Sequence, residues 1–481
     1  MYKRIASLIS VAIVLSVASV LLGACTTATP EAATTAPTTE QSQATTAPVA
    51  TAAPAVTNIR WFVGLGSGGN PEEVKKENVF VTKFNTENPQ YKLTIDIVSN
   101  AVAYDVLKTQ IASGDAPDIV GPLGIRGFSS FQGAWLDMSP YTTKYNYDYS
   151  GYDPSLLTFL NAGDQGTLGL PFAVYPSALW YNKALFDEAG LAYPPHKVGD
   201  KYTLDGQQVD WTFDTLKTVA MRLSQDSTGK TPDEAGFNPD KQVQWGYDAM
   251  WTDLRGEWTF FGPGSFVAAD GVTAQLPDVW KTAAHWYYDG MWTSHFIPTL
   301  NYVNSDLLAQ GNTFGSGNVA MTPIHTWYIN NSQKVVWDIG AIPSYNGNTT
   351  AKMHADTFGI LKTAKNPDAS FQVLSIFMQK YTADLCDAYG AFPAAISLQA
   401  DRIKTLQAAW PGVDFQVFID DIKYADHPNH ESAMPNFDKA SSAYGDFYQL
   451  YKTKSGLDLD AELAKLVTNL QTVFDQVKPI Q

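Results

Sequence analysis

Apolar and polar positions change period several times along the chain, and each change marks an element. An apolar run over residues 5–22 gives way to residues 26–57, which carry no aromatic side chain. Residues 58–63 then form a short β-type run, followed by a glycine-rich turn from Gly64 to Gly69. Asn70 and Pro71 supply an N-cap and a first-turn proline, which predicts a helix from 71 to about 87, stopping before Pro89. Residues 91–98 alternate, with Leu93, Ile95 and Ile97 on one side, as a strand does. Tyr104, Leu107 and Ile111 recur at helical spacing until Gly114, and Asp118-Ile119-Val120 opens another strand. This alternation predicts an α/β fold built on a parallel, doubly wound sheet.

Further on the pattern is helix-rich, with helices expected over 182–189, 212–224, 279–289, 369–389, 396–409 and 459–477. Short strands are expected at 178–181, 318–322, 338–342 and 357–361. A chain that crosses more than once between two α/β lobes fits this order better than two sequential domains. No internal repeat is present.

The ends change the picture of where the molecule works. Lys3 and Arg4 precede the apolar run, which closes on Leu22-Gly23-Ala24-Cys25, the order of a secretory signal (residues 1–25) with a lipobox. The run is about long enough to span a bilayer, but a Cys directly after two small residues is what lipoprotein processing requires. Cys25 is then the lipidated N-terminus, held at the membrane surface by its acyl chains. Residues 26–57, almost wholly Thr, Ala, Pro, Gln and Ser, cannot bury enough apolar surface to offset their ordering entropy and read as a flexible tether. The formal charge of −16 becomes −18 once Lys3 and Arg4 are removed, which disfavours nucleic acid as a partner. Besides Cys25 the sequence holds only Cys386, in an apolar helical stretch, so no intrachain disulfide forms in the mature chain and Cys386 reads as a buried small hydrophobe.

Three blocks then carry a resemblance: Phe84-Asn85-Thr86-Glu87-Asn88-Pro89, Ile111-Ala112-Ser113-Gly114-Asp115-Ala116-Pro117-Asp118-Ile119-Val120, and Tyr181-Asn182-Lys183-Ala184-Leu185-Phe186-Asp187-Glu188-Ala189-Gly190. Two later blocks agree, Gly317-Asn318-Val319-Ala320-Met321 with Trp327 beyond it, and Gly340-Ala341-Ile342-Pro343 leading to Phe358-Gly359-Ile360-Leu361. In this order they resemble the family 1 extracellular solute-binding proteins, the group that contains the maltodextrin-binding protein. The resemblance implies a two-lobe periplasmic-binding-protein-like fold with crossing hinge segments. One lobe would comprise residues 58–173 plus 358–392 and the other 174–357 plus 393–481. It implies capture of a mono- or oligosaccharide by closure and delivery to the membrane subunits of an ABC permease, by a monomer with no catalytic residue, cofactor or metal.

Candidate ligand contacts follow. Gly64-x-Gly66-x-x-Gly69 has the spacing of a dinucleotide fingerprint, but the helix starts after all three glycines, whereas the fingerprint needs the helix to open inside them. In the resembled family this loop lines the cleft, where Gly66 and Ser67 would meet sugar hydroxyls. Sugar rings present apolar C–H faces that stack on indole and phenol. Trp327 matches the family's stacking tryptophan, Tyr175 lies where the chain enters the second lobe, and Trp251 falls in an aromatic stretch with Trp245, Tyr247 and Trp258. His325, His354, Asp356 and Tyr444 are further candidates on the same resemblance. Leu123 sits at a strand's carboxyl end, where open α/β sheets place ligands. The loop Asp226-Ser227-Thr228-Gly229-Lys230 lacks the acidic spacing of a calcium loop and reads as solvated surface. The rival class is a lipid-anchored glycoside hydrolase, which needs a carboxylate pair; no pair stands in a motif here, and neither His-Glu-x-x-His nor Gly-x-Ser-x-Gly occurs.

Overall fold

Strand β1 (Thr57–Val63) is the centre of the first half, pairing in parallel with β2 (Tyr91–Ile97) on one side and β3 (Ile119–Leu123) on the other. The computed structural model describes residues 55–66, 68–154, 156–157, 166–331 and 334–476. Cys25, residues 26–54 of the expected tether and Ser67 lie outside them, whereas Thr57, expected to end the tether, begins β1; all that follows concerns the unit that begins at Pro54. Helix α1 (Pro71–Glu87) starts where its cap predicts: the Asn70 side chain accepts from the amides of Glu72 and Glu73 at 3.1 and 2.9 Å. Helix α2 (Asn100–Ser113) ends at Gly114, whose φ of 77° is the left-handed C-cap that glycine adopts at least cost.

The wholly parallel sheet does not hold beyond these three strands. The main sheet has eight strands among the described residues. The strand Met353–Ile360 lies between β3 and β4 (Leu170–Asn182) and is antiparallel to both. Antiparallel neighbours need no βαβ crossover, so the long connections between these strands do not impose a parallel return. All thirteen residues of β4 are buried. Its first part pairs with Met353–Ile360 and Phe392–Pro393, its last part with Met321–His325 and Trp337–Gly340. One strand thus serves two packed bodies. The sequence pattern confined it to 178–181 because Pro171 and Pro176 argue against a central strand. Pro171 is accommodated at a register shift between Asp356 and Thr357. Pro176 sits where β4 changes partner, from Met353 to His325 opposite Ser177.

Two cores result. Trp61, Phe80, Phe84, Phe172, Phe358 and Phe377 pack the first, which includes the buried Cys386. Phe213, Tyr247, Trp258, Trp280, Tyr287 and Tyr451 pack in the second with the helices Asp278–Trp292, Phe437–Thr453 and Leu459–Phe474. The expected helix 369–389 is two, Pro367–Lys380 and Thr382–Tyr389, broken at Tyr381, where φ is −118° and ψ is 9°.

Candidate functional site

Where β4 changes partner, a cavity of about 470 Å³ opens against both bodies. Leu65 and Gly66 reach it from the turn after β1, and Asn70 and Glu73 from the start of α1. Asn100 and Tyr104 of α2 and Gly124, Arg126 and Gly127 after β3 complete that wall. Tyr175 of β4 and His354 and Asp356 of its antiparallel partner form the floor, with Tyr389 and Glu431 beside them. Trp251, Trp327 and Asn331 close the other side.

Six of the residues singled out from sequence therefore share one cavity: Gly66, Tyr175, Trp251, Trp327, His354 and Asp356. The other three described ones do not line it. Leu123 is wholly buried beside Phe62, Ala103 and Leu107; strand alternation turns its side chain into the core, and the next residue, Gly124, meets the cavity instead. Tyr444 lies behind the site, its hydroxyl donating to Asp253 at 2.8 Å and accepting from Arg255 at 3.1 Å. His325 is buried under the floor, its Nδ1 2.6 Å from the Tyr175 carbonyl oxygen and its ring stacked on His354 at 3.9 Å between centroids.

Trp251 and Trp327 lie with their rings nearly parallel, 11° between planes and 5.8 Å between centroids. Trp251 is 44% exposed, whereas most large aromatic rings of the chain are core. Its φ of 54° puts a bulky residue in the left-handed region, which costs on the order of 1–3 kcal/mol and persists only where the surroundings hold it. The indole is thereby presented to the cavity.

Opposite charge and burial tune the polar groups. Burial, and then the neighbouring Glu431 charge, push the Asp356 carboxyl up to about 7. Burial also works on Glu431, but attraction from His354, His430 and Arg255 outweighs it and holds that carboxyl below its usual range. Burial lowers His354 to about 4 in spite of Glu431, and takes His325 well below the ordinary imidazole value. Both rings are accordingly neutral at physiological pH. Arg126 holds its guanidinium 4.8 Å from the centre of the Tyr104 ring.

Sequence reasoning missed the segment from Asp426 to Glu431. Asp426 accepts from the Met353 amide at 2.9 Å, from Asn429 Nδ2 at 3.1 Å and from His430 Nδ1 at 2.7 Å, which straps this segment to the floor strand. His430 Nε2 then lies 3.1 Å from His354 Nε2, and Glu431 Oε1 lies 3.7 Å from the same atom. These three residues could hold a metal ion, their donor atoms lying within 4.8 Å of one another. The His427-Pro428-Asn429-His430-Glu431 run was the available signal, but its partner His354 is 76 residues away. In the loop at Asp226 the carboxylate is engaged locally, accepting from the amide and hydroxyl of Thr228 at 2.7 and 2.6 Å and from the Asn238 amide at 2.9 Å.

A family model described as bacterial extracellular solute-binding protein matches residues 68–377, more than half of the 481. The chain belongs to that family. The fold agrees with other solute-binding proteins: an ABC substrate-binding protein of Listeria monocytogenes, in complex with cycloalternan, superposes with a TM-score of 0.65 at 18% identity, over 88% of this chain and 98% of that one. The sugar-binding protein of Xanthomonas citri gives 0.65 at 16% identity, over 87% and 98%. The maltose/maltodextrin-binding domain from Bdellovibrio bacteriovorus, bound to maltotriose, gives 0.62 at 17% identity, over 87% and 99%. At these identities the likeness establishes the two-lobe fold of this solute-binding protein. A Brucella abortus protein with a provisional name as a binding protein is 34% identical over 128 residues, so this chain spans 28% of the length of that curated relative. Among the described residues no helix is long and apolar enough to cross a membrane.

Proposed function

We propose that this solute-binding protein captures a mono- or oligosaccharide in the cavity between its two bodies and delivers it to an ABC permease. The observation that carries the reading is the Trp251–Trp327 pair presented to a cavity that also holds Glu73, Asp356 and Glu431. A sugar ring offers apolar C–H faces to indole and hydroxyl donors to carboxylates, and this lining offers both complements. The sugars and maltodextrins named with the structural relatives support the same class. Arg126 is the one basic side chain among the lining residues described, which favours a neutral ligand over an anion.

Residues 58–173 with 358–392 form one lobe and 174–357 with 393–481 the other in this reading, with β4 and Met353–Ile360 as crossing segments. The core residues of the second body all fall in the second set, which supports the division. A ligand touching both lobes binds the closed form better and shifts the population toward it. A lipid on Cys25 and the tether after it would hold the monomer at the membrane, within reach of the permease.

The test is a thermal-shift screen of neutral sugars, repeated on Trp327→Ala. A bound sugar at 100 times its dissociation constant adds about 2.7 kcal/mol of stability to the wild type. One observation favours a second reading, glycoside hydrolysis: Asp356 and Glu431 share the cavity with their carboxyls shifted in opposite directions. Family membership supports binding without cleavage, and shortened products after incubation with oligosaccharides would overturn it.

A further inference from the structure

We infer that His354, His430 and Glu431 form a binding site for a divalent transition-metal ion of the zinc class at the floor of the cavity. The donor set is the kind such an ion takes, two imidazole nitrogens and one carboxylate oxygen. The spacing fits as well. Tetrahedral bonds of about 2.0–2.1 Å place neighbouring donors roughly 3.3 Å apart. His354 Nε2 lies 3.1 Å from His430 Nε2 and 3.7 Å from Glu431 Oε1, and all three donors lie within 4.8 Å of one another, so closing the set around one ion takes side-chain shifts of at most roughly 1.5 Å.

The support around the donors is also in place. His430 Nδ1 is hydrogen-bonded to Asp426, which fixes the tautomer with the proton on Nδ1 and leaves the Nε2 lone pair facing His354. Asp426 is itself anchored by the Met353 amide and Asn429, so the imidazole cannot swing away without breaking a buried network. On the other face His354 is stacked on the buried ring of His325, which limits its rotation. Nearby charge suits a cation: Asp356 and Asp426 accompany Glu431, against the buried Lys352 and Arg255. His354 and Glu431 line the cavity, so three protein donors leave the fourth position of the ion to a water or to an oxygen of a ligand entering from above.

The inference does not rest on the sugar reading, and its test contains no sugar. Untagged full chain, stripped with chelator, is titrated calorimetrically with ZnCl2. One Zn2+ per chain is expected, with His354→Ala and Glu431→Gln each weakening the affinity by more than about tenfold. X-ray absorption on the zinc-loaded wild type is the second readout, independent of whether the variants fold; two imidazole nitrogens and oxygen, with no sulfur, are expected. Absence of saturable uptake, uptake unchanged in both variants, or a zinc shell with fewer than two imidazoles would overturn the site and leave the His354–His430 contact as a plain hydrogen bond.

Discussion

Trp251 combines two properties that packing alone does not explain, a left-handed backbone and an indole nearly half open to solvent. Glycine adopts that backbone freely. Trp251→Gly is therefore expected to leave the unfolding temperature unchanged or raised while weakening sugar binding; a clear loss of stability would show that the indole is structural instead. Trp327→Ala is expected to cost about 1–2 kcal/mol of binding, roughly tenfold in affinity, read by titration calorimetry. Glu77 shows the same scale of reasoning away from the ligand. Burial pushes its carboxyl up to about 7, although the Tyr389 hydroxyl donates to it at 2.8 Å. Between pH 4.5 and 7 the folded state then holds a proton that the unfolded chain releases, so this group's stabilising contribution is present below that window and lost as pH rises through it. Glu77→Gln is expected to remove that dependence and to be more stable above pH 7 by up to about 3 kcal/mol, measured by denaturant unfolding at several pH values.

Elements differed in how plainly the sequence announced them, and the reason is local. Helix α1 was legible because Asn70, Pro71 and the stop before Pro89 agree. The helix Ile396–Ala409 was read to its ends. The helix Phe437–Thr453 was not read, although Phe437, Ala440, Tyr444, Phe447 and Tyr451 repeat on one face and are buried, because Ser441, Ser442 and Gly445 weaken its propensity. The hairpin of Lys201–Leu204 and Gln207–Asp210 also went unread, with Asp205-Gly206 at φ of 51° and 76° as its turn. The missed helix carries Lys452, which forms a wholly buried ion pair with Glu257 of the short helix Leu254–Trp258. Lys452→Met alone leaves a buried carboxylate unpaired and is expected to cost about 3–5 kcal/mol, with most of that recovered when Glu257→Leu is added. Equal destabilisation in both proteins would contradict a cost that comes from the unpaired Glu257 carboxylate.

For the whole molecule, the two-lobe α/β class and the family could be read from ordered sequence blocks, whereas the sheet's mixed direction could not. Direction depends on which distant strands meet, and Met353–Ile360 joins β3 and β4 from well over a hundred residues away. The site divided in the same way. Its aromatic and loop members stand in recognisable surroundings; His430 and Glu431 became neighbours of His354 only through the Asp426 network. The central claim, capture of a carbohydrate where β4 passes between the two bodies, is tested most directly by titration calorimetry of neutral mono- and oligosaccharides against the full chain and Trp327→Ala. The account predicts saturable one-to-one binding of at least one sugar by the wild type, weakened roughly tenfold in the variant. No heat of binding from any sugar at millimolar concentration, or a variant that binds as tightly as the wild type, would contradict it.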